Sequence, residues 1–543
     1  MEITRQIRGG AGADSDRGQP NIILILNDDM GFSDLGCYGG EIATPNLDRL
    51  AAGGLRFSQF YNTARCCPSR ASLLTGLYPH QADIGHMMDD DGVDGYTGDL
   101  NTDTLTIAEV LGEAGYRAYM SGKWHLTRHV DGPKHNWPCQ RGFDAFFGII
   151  TGACSYYHPS TLTRDNERID TPPGEFFLTD AISDEAADQL RRHAETHPNT
   201  PFFQYVAYTA PHWPLHAHPE DIERYRGRFD RGWDTLRAER LERLLEMGLI
   251  HPNWRLTPRD PSQPAWQEAE HKGWQAARMQ TYAAQTERMD RGIGRILEAL
   301  EETGQLERTL ILFLADNGGC AEEIRADRAG WLAVQNAHTE TRGGRKVQFG
   351  NDPEVRPGGE DTYQSYGVPW ANVSNTPFRE YKHWVHEGGI ATPLIAHWPQ
   401  GIREPGGLRH EPAQLPDIMA TCLDLAGADY PTDYRGRTIP PHEGHSLAPM
   451  FEGGTFSREV LYWEHEGNRA VRKGRWKLVN KYPGDWELYD IDLDRTELND
   501  LSADHPEVVE ELEALYQAWA GRCSVMPWEE LLALREARGR RGR

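Results

Sequence analysis

The sequence predicts an α/β fold: a large, mostly parallel sheet flanked by helices, with a smaller C-terminal antiparallel sheet and a packed helix appended. Three observations predict it. Residues 21–26 (NIILIL) are continuously aliphatic and end in Asn27-Asp28-Asp29, as expected of a strand buried on both faces that delivers carboxylates at its C-terminal tip. Helix-like and strand-like segments then alternate over most of the chain. After about residue 455 the texture changes to short alternating strands followed by one amphipathic helix.

The elements follow in order. A helix opens at Pro45 (PNLDRLAAGG), a strand follows (LRFSQFY), and a second helix starts around Pro68 (PSRASLLTG). TLTIAEVLGEAG reads as an amphipathic helix before strand YRAYMSG, and ISDEAADQLRRHAE as a helix before PFFQYVAY. A helix near 279–302 leads into TLILFLADNGG, and a last unit, TPLIAHW then PDIMATCLDLAG, closes the sheet. Segments 215–275 and 321–375 break this rhythm, being rich in Trp, Pro, Gly and charge, with one good helix (WDTLRAERLERLLEMG). They are read as insertions walling a site, since long irregular loops in a compact enzyme usually serve as lids or binding loops. Strands EVLYWEHE, NRAVRKGRWKLVNK and WELYDID, then helix PEVVEELEALYQAWAG, form the small C-terminal unit. The expected organisation is a disordered segment over 1–20, an α/β domain over 21–455, an antiparallel-sheet subdomain over 456–525 and a C-terminal tail over 526–543, its final REARGRRGR a frayed basic end.

Composition narrows the function. Lys and Arg number 57 against 82 Asp and Glu, a formal charge of −25, and the basic residues are scattered, so nucleic acid is not an expected partner. An acidic chain must capture any anionic substrate with a few local cations and a metal. No stretch approaches the roughly 20 apolar residues that span a bilayer. The first twenty residues carry no apolar run of the secretory kind, and a soluble cytoplasmic protein is expected. Eight cysteines without framework spacing are expected to be thiols there, and only Cys66 has a chemical reading.

Asp28-Asp29 and Asp316-Asn317 both follow aliphatic strands, so in a parallel sheet they can meet at one edge as hard oxygen donors suited to Ca²⁺ or Mg²⁺. Either pair alone is more often a turn or a helix cap. Cys66-Cys67-Pro68-Ser69-Arg70, continued by Leu73-Leu74-Thr75-Gly76, places a sulfur just before a helix N-terminus, where N–H groups and the helix dipole stabilise negative charge. A buried structural cysteine is the bland alternative.

This Cys-x-Pro-x-Arg core with its LLTG tail resembles the signature of type I sulfatases, closest to bacterial arylsulfatases, and the resemblance runs from about residue 21 to 500. It implies an alkaline-phosphatase/sulfatase-like fold. It also implies that Cys66, and not the out-of-register Cys67, is oxidised to formylglycine by a formylglycine-generating enzyme reading the nascent chain. Gly122-Lys123-Trp124-His125 and Ala210-Pro211-His212-Trp213-Pro214 match two further family elements, and Lys382 has the family spacing to Glu387-Gly388-Gly389. A lone His or Lys at such places is more often a core or surface residue; their joint occurrence in order favours the site.

The resemblance implies one Ca²⁺ held by Asp28, Asp29, Asp316, Asn317 and the modified residue 66. It further implies that a hydroxyl of the hydrated aldehyde attacks sulfur, forms a covalent sulfoenzyme, and is reset when the second hydroxyl loses its proton and sulfate departs. His125 is the expected base of that reset. Lys123, Lys382 and Arg70 supply positive field, while His212 and Lys382 assist the leaving oxygen. The expected substrate is a small sulfate monoester, an aryl sulfate first. The rival on the same formylglycine scaffold is a phosphodiester or phosphonate monoester hydrolase, and the rival of another class is a silent binding protein. Neither the natural substrate nor the oligomeric state is legible.

Overall fold

In the computed structural model residues 18–328 and 337–539 are described. Of the expected disordered segment, residues 1–17 lie outside them, as do 329–336 of the second insertion and the last four residues of the tail.

The strands in chain order are β1 (Asn21–Asn27), β2 (Leu55–Tyr61), β3 (Arg117–Lys123), β4 (Ala145–Ile149), β5 (Leu162–Arg164), β6 (Glu167–Arg168), β7 (Phe202–Ala207) and β8 (Thr309–Ala315). After them come β9 (Gln348–Phe349), β10 (Thr362–Tyr363), β11 (Ala391–His397), β12 (Gly407–Arg409), β13 (Ala413–Gln414), β14 (Asp433–Tyr434) and β15 (Arg437–Thr438). The last four are β16 (Val460–His465), β17 (Asn468–Lys473), β18 (Trp476–Asn480) and β19 (Trp486–Asp490). The main sheet has the order β12-β2-β11-β8-β1-β7-β3-β4-β5-β6, with β13 beside β2.

At its centre β1 is buried on both faces. Ile23 and Ile25 belong to one apolar cluster and Ile22, Leu24 and Leu26 to the other. That is why the run is unbroken by polar residues. Helices α4 (Leu178–Thr196) and α7 (Lys272–Glu302) cover the first face through residues such as Ile182, Leu190, Ile293 and Leu297. Helices α2 (Cys66–Thr75) and α3 (Ile107–Glu113), with the helix Pro416–Ala426, cover the second through Leu73, Leu74, Leu111 and Ile418.

Strands β8, β1, β7, β3 and β4 are parallel, as expected, but β11 runs antiparallel to both β8 and β2. The sheet is therefore mixed, and the geometry has a useful result. The C-terminal ends of β1, β2, β3, β7 and β8 and the N-terminal end of β11 all lie along one edge.

The 215–275 insertion carries the expected helix α6 (Gly232–Glu246), preceded by a short α5 (Pro219–Glu223). Its tryptophans build a third apolar cluster with the second insertion: the Trp233 and Trp266 rings lie 4.7 Å apart at 83°, and Trp370 from the helix Gly367–Ser374 packs 5.6 Å from Trp233.

In the C-terminal unit, β16-β17-β18-β19 form a fully antiparallel sheet. Ala470, Val479 and Tyr489 face the main core, while Val471, Leu478 and Leu488 face the helix Pro506–Arg522, the one-residue alternation that a sheet with two buried faces requires. A fully buried ionic hub joins the units. Lys477 reaches Glu387 and Glu497 at 2.8 Å each, Arg495 reaches Glu387 at 2.6 Å and the Ser58 carbonyl of β2, and Tyr61 donates to Glu387 at 3.1 Å.

The expected C-terminal tail is corrected over residues 528–537. Trp528–Ala537 is a helix, because Leu531 is buried and Arg535 sits over the Trp528 ring while pairing with Asp91 at 2.9 Å and with His86. No helix among the described residues is long and apolar enough to cross a membrane.

Candidate active site

The shared sheet edge gathers the predicted residues from six places in the sequence. Asp28 and Asp29 leave β1, and Asp316 and Asn317 leave β8 directly beside them, since Asn27 pairs with Ala315. Lys123 ends β3, and His125 follows two residues later. His212 follows β7, where the Ala210 carbonyl accepts from Asp28 N–H at 3.2 Å. Cys66 opens α2, five residues beyond β2, and Lys382 precedes the antiparallel β11. Ligand sites of open α/β sheets collect at such carboxyl ends.

Close backbone approach explains the glycine before Lys123. Gly122 has φ 120°, and a Cβ there would stand 1.9 Å from the Ala207 carbonyl oxygen of β7. Both Asp29 (φ 63°) and His125 (φ 54°) adopt left-handed backbone, which side-chain-bearing residues rarely do and which clusters at functional sites.

Around the carboxylates the partners are cationic. Lys123 Nζ donates to Asp28 Oδ2. Arg70, fully buried, donates to Asp316 Oδ2 from Nε at 3.1 Å and Nη2 at 2.8 Å, lies 3.4 Å from Asp28, and donates to the Lys123 carbonyl at 3.1 Å. Lys382 Nζ contacts Asp29 at 2.7 and 2.9 Å, and Asn317 Nδ2 donates to Asp29 Oδ1 at 2.8 Å. His212 Nε2 lies 3.4 Å from Asp29, its ring fixed by Nδ1 against the Trp213 carbonyl at 2.6 Å. Tyr156 hydroxyl, 2.8 Å from the Thr209 and His212 carbonyls, steadies that turn.

The charges crowd one another. Burial, opposed by Lys123, His212 and Arg70, leaves the Asp28 carboxyl below its usual value. Burial and then the neighbouring Asp28 push Asp316 well above its own. Burial opposes the charge on Lys382, and Asp29 prevails, holding its ammonium well above the usual range.

A divalent cation fits this donor set. Asp28 Oδ1 and Asn317 Oδ1 are buried oxygens without a hydrogen-bond partner, and orphaned buried oxygens beside two further carboxylates make an all-oxygen pocket of the kind Ca²⁺ takes. Asp28, Asp29 and His212 offer atoms within 4.8 Å of one another.

Cys66 is 2% exposed and is the first residue of α2, after Arg65 in extended backbone. A hydrogen bond with Cys67 first, then Lys123, His125 and Lys382 against the effect of burial, hold its thiol well below the usual value, whereas burial pushes Cys67 well up. The Cys67 thiol also lies 3.4 Å from the His86 carbonyl. His125 lies beside Cys66, a ligand atom of each within 4.8 Å of the other; its Nδ1 is buried without a partner, and burial pushes the imidazole down to about 4. Its ring lies against Gly152, where a Cβ would come within 2.5 Å.

All the predicted site residues thus converge. What the sequence reading missed is the wall. Glu322, from the second insertion, accepts from Arg65 at 2.8 Å and from Trp213 Nε1 at 2.9 Å. Burial opposes its ionisation, but Arg65, Lys382 and His212 hold it far below the carboxylate range. A single glutamate in an irregular segment offers no spacing by which to find it; the neighbours of the motif, Arg65 and Trp213, were the available signal.

Known proteins share this architecture. The sulfatase family model matches residues 20–428, and a second model, described as N-sulphoglucosamine sulphohydrolase, C-terminal, matches 379–518. An uncharacterised sulfatase of Schizosaccharomyces pombe is 32% identical over 528 residues, which cover 91% of this chain and 92% of that one. The arylsulfatase of Klebsiella aerogenes is 34% identical over 465 residues, covering 82% and 95%. Among solved structures, Ps i-CgsB in complex with k-i-k-neocarrahexaose superposes with a TM-score of 0.65 at 25% identity over 92% of each chain. A family match over most of the chain, together with relatives alignable nearly end to end, places it: the chain belongs to the sulfatase family and is an arylsulfatase-like sulfuric ester hydrolase.

Proposed function

We propose that the chain hydrolyses an aryl sulfate, releasing sulfate and a phenol, with formylglycine at position 66 and Ca²⁺ bound by Asp28, Asp29, Asp316 and Asn317 together with residue 66. The observation that carries this reading is the buried convergence of four oxygen ligands, two of them with unpartnered oxygens, and three cationic side chains around the head of α2. The arylsulfatase of Klebsiella aerogenes supports the aryl substrate.

When present, formylglycine at position 66 would supply, as its hydrate, the nucleophilic hydroxyl, and Ca²⁺ held by Asp28, Asp29, Asp316 and Asn317 would supply charge withdrawal from the sulfuryl oxygens. The remaining work belongs to the chain's own residues. Lys123 and Lys382 extend preorganised positive charge toward the sulfuryl group, and a low-dielectric setting makes that field stronger than in water. Arg70, with each guanidinium nitrogen engaged by Asp316, Asp28 or the Lys123 carbonyl, positions the ligand carboxylates. His125, beside residue 66, accepts the proton of the resetting step. His212 has Nδ1 engaged with Trp213, so Nε2 is the atom aimed at the site; it and Lys382 donate to the bridging oxygen as the phenoxide leaves.

Peptide mass spectrometry of protein made with a formylglycine-generating enzyme tests the reading, together with the rates of an aryl sulfate and an aryl phosphodiester under one set of conditions. Formylglycine at 66 with cysteine at 67, and a faster sulfate ester, are expected. Unmodified Cys66 in a fully active preparation overturns the nucleophile, and a faster phosphodiester overturns the substrate. Cys66→Ala abolishes turnover with the fold intact, whereas Cys67→Ala is milder.

A further inference from the structure

Away from the strand tips, a second cluster has the composition of a metal site and no part in the reaction above. We propose that Asp99, His129 and His135 bind a divalent transition-metal ion of the zinc class. His135 Nε2 lies 2.7 Å and His129 Nε2 3.7 Å from the same carboxylate oxygen, Asp99 Oδ2. The two imidazole centroids are 5.4 Å apart at 60°, and one ligand atom from each of the three residues falls within 4.8 Å of the others. Ligands bonded to one tetrahedral ion at roughly 2.0–2.1 Å stand roughly 3.3 Å apart, a value the two observed separations bracket.

Ordinary ion pairing leaves part of this arrangement unexplained. Asp99 Oδ1 is buried and has no hydrogen-bond partner, although the carboxylate as a whole faces two imidazoles. An ion chelated by both oxygens of this carboxylate would satisfy that atom, and buried polar atoms of folded proteins are satisfied as a rule.

The ligand frame is pinned in advance. Asn136, next to His135, donates its amide to the carbonyl of Leu100, next to Asp99. Trp137 Nε1, from a fully buried ring, donates to the His129 carbonyl at 2.8 Å, and His129 N–H donates to Thr127 Oγ1 at 3.1 Å. Preorganised ligands lose little entropy on binding. The side chains themselves are 12%, 26% and 42% exposed, in the order Asp99, His129, His135, so an ion can enter from solvent and water can complete its shell.

Donor chemistry sets the class of ion. Two imidazole nitrogens and one carboxylate suit zinc and its first-row neighbours, whereas calcium and magnesium take oxygens. The two centres therefore favour different ions. Since His129 follows His125 by four residues, a metal here would brace the segment that leaves β3 with Lys123 and His125.

The experiment uses full-length protein stripped with a chelator and returned to excess Ca²⁺, so that the oxygen-lined centre does not compete. Zn²⁺ is titrated by calorimetry and Co²⁺ by absorption spectroscopy, in the wild type, in His129→Ala/His135→Ala and in Cys66→Ala/Cys67→Ala. The cysteine variant is needed because Cys66, Cys67 and His125 also bring ligand atoms within 4.8 Å of one another. The wild type and the cysteine variant should each bind one equivalent at this site, with a cobalt spectrum free of sulfur-to-cobalt charge transfer. The histidine variant should lose on the order of 100-fold in affinity or more. Zinc should raise Tm in the first two and not in the third.

Should circular dichroism show that the double histidine variant is misfolded, His135→Gln, at the most exposed ligand, replaces it. An isotherm unchanged by the histidine substitutions, binding removed only by the cysteine substitutions, or no Zn²⁺ binding by the wild type overturns the proposal.

Discussion

At the scale of single residues, the two active-site histidines are distinguished by what their rings touch. His125 stands beside Cys66 and lies against Gly152, whereas His212 presents Nε2 beside Asp29 with its other nitrogen tied to Trp213. His212→Ala should therefore cost little for a sulfate of an acidic phenol and much more, up to the roughly 10²–10⁴-fold that a positioned acid contributes, for a poorly acidic one. His125→Ala should give a burst of phenol followed by a slow rate that is nearly independent of the leaving group. A plot of log rate against leaving-group pKa for the wild type and both variants checks this; a His212 variant with the wild-type slope contradicts the assignment. These residues were legible because each stands in a short pattern with its neighbours. Glu322 and Arg65 were not, since their pairing joins positions 257 residues apart and neither has a local signature.

Elements were legible where burial writes itself into composition. The β1 run could hardly be anything but a strand covered on both sides, and the Trp-rich insertions announced a wall. The direction of β11 could not be read, because a strand buried on both faces has the same apolar run whichever way it points. The β5–β6 hairpin was missed because it is short and half exposed. The terminal helix was missed because its arginines look like a solvated tail until Asp91 is seen opposite Arg535.

The β3–β7 pair makes the element-scale prediction. Gly122→Ala would drive a methyl into the Ala207 carbonyl from a backbone conformation that itself costs about 1–3 kcal/mol for a residue with a side chain. The variant should melt well below the wild type in a thermal scan and lose activity in parallel, since Lys123 follows directly. A wild-type Tm contradicts the close-approach reading.

Across the whole molecule, the Glu387–Lys477–Arg495–Glu497 hub fastens the C-terminal sheet to the edge that carries the site. Burial opposes ionisation of Glu387, but Lys477 and Arg495 prevail and hold its carboxyl at about 2, below the usual 4.5. A carboxyl depressed by folding contributes stability that is full above its unfolded value and is lost as pH falls through the folded one. Glu387→Gln leaves two buried cations short of a partner and should cost about 3–5 kcal/mol near neutrality. The Tm gap between wild type and variant should then shrink as pH falls from about 4.5 toward 2; a gap constant over that window contradicts the linkage. Prolonged chelation should remove activity, with Ca²⁺ restoring it better than Zn²⁺, and Asp316→Ala should behave like the chelated enzyme. Activity that survives chelation with no metal bound contradicts the ligand assignment.

The burial of Cys66 has a consequence in time. The residues that close over it include Lys382, whose contact with Asp29 spans 353 positions of sequence, so the enclosure cannot exist until most of the chain has been made. At roughly 5–20 residues per second, the ribosome needs on the order of 15–60 s to travel from Cys66 to Lys382. During that interval the thiol stands open to any enzyme that modifies it, and after folding, at 2% exposure, it does not. On the formylglycine reading proposed above, the rate of translation becomes a determinant of how much of the protein matures.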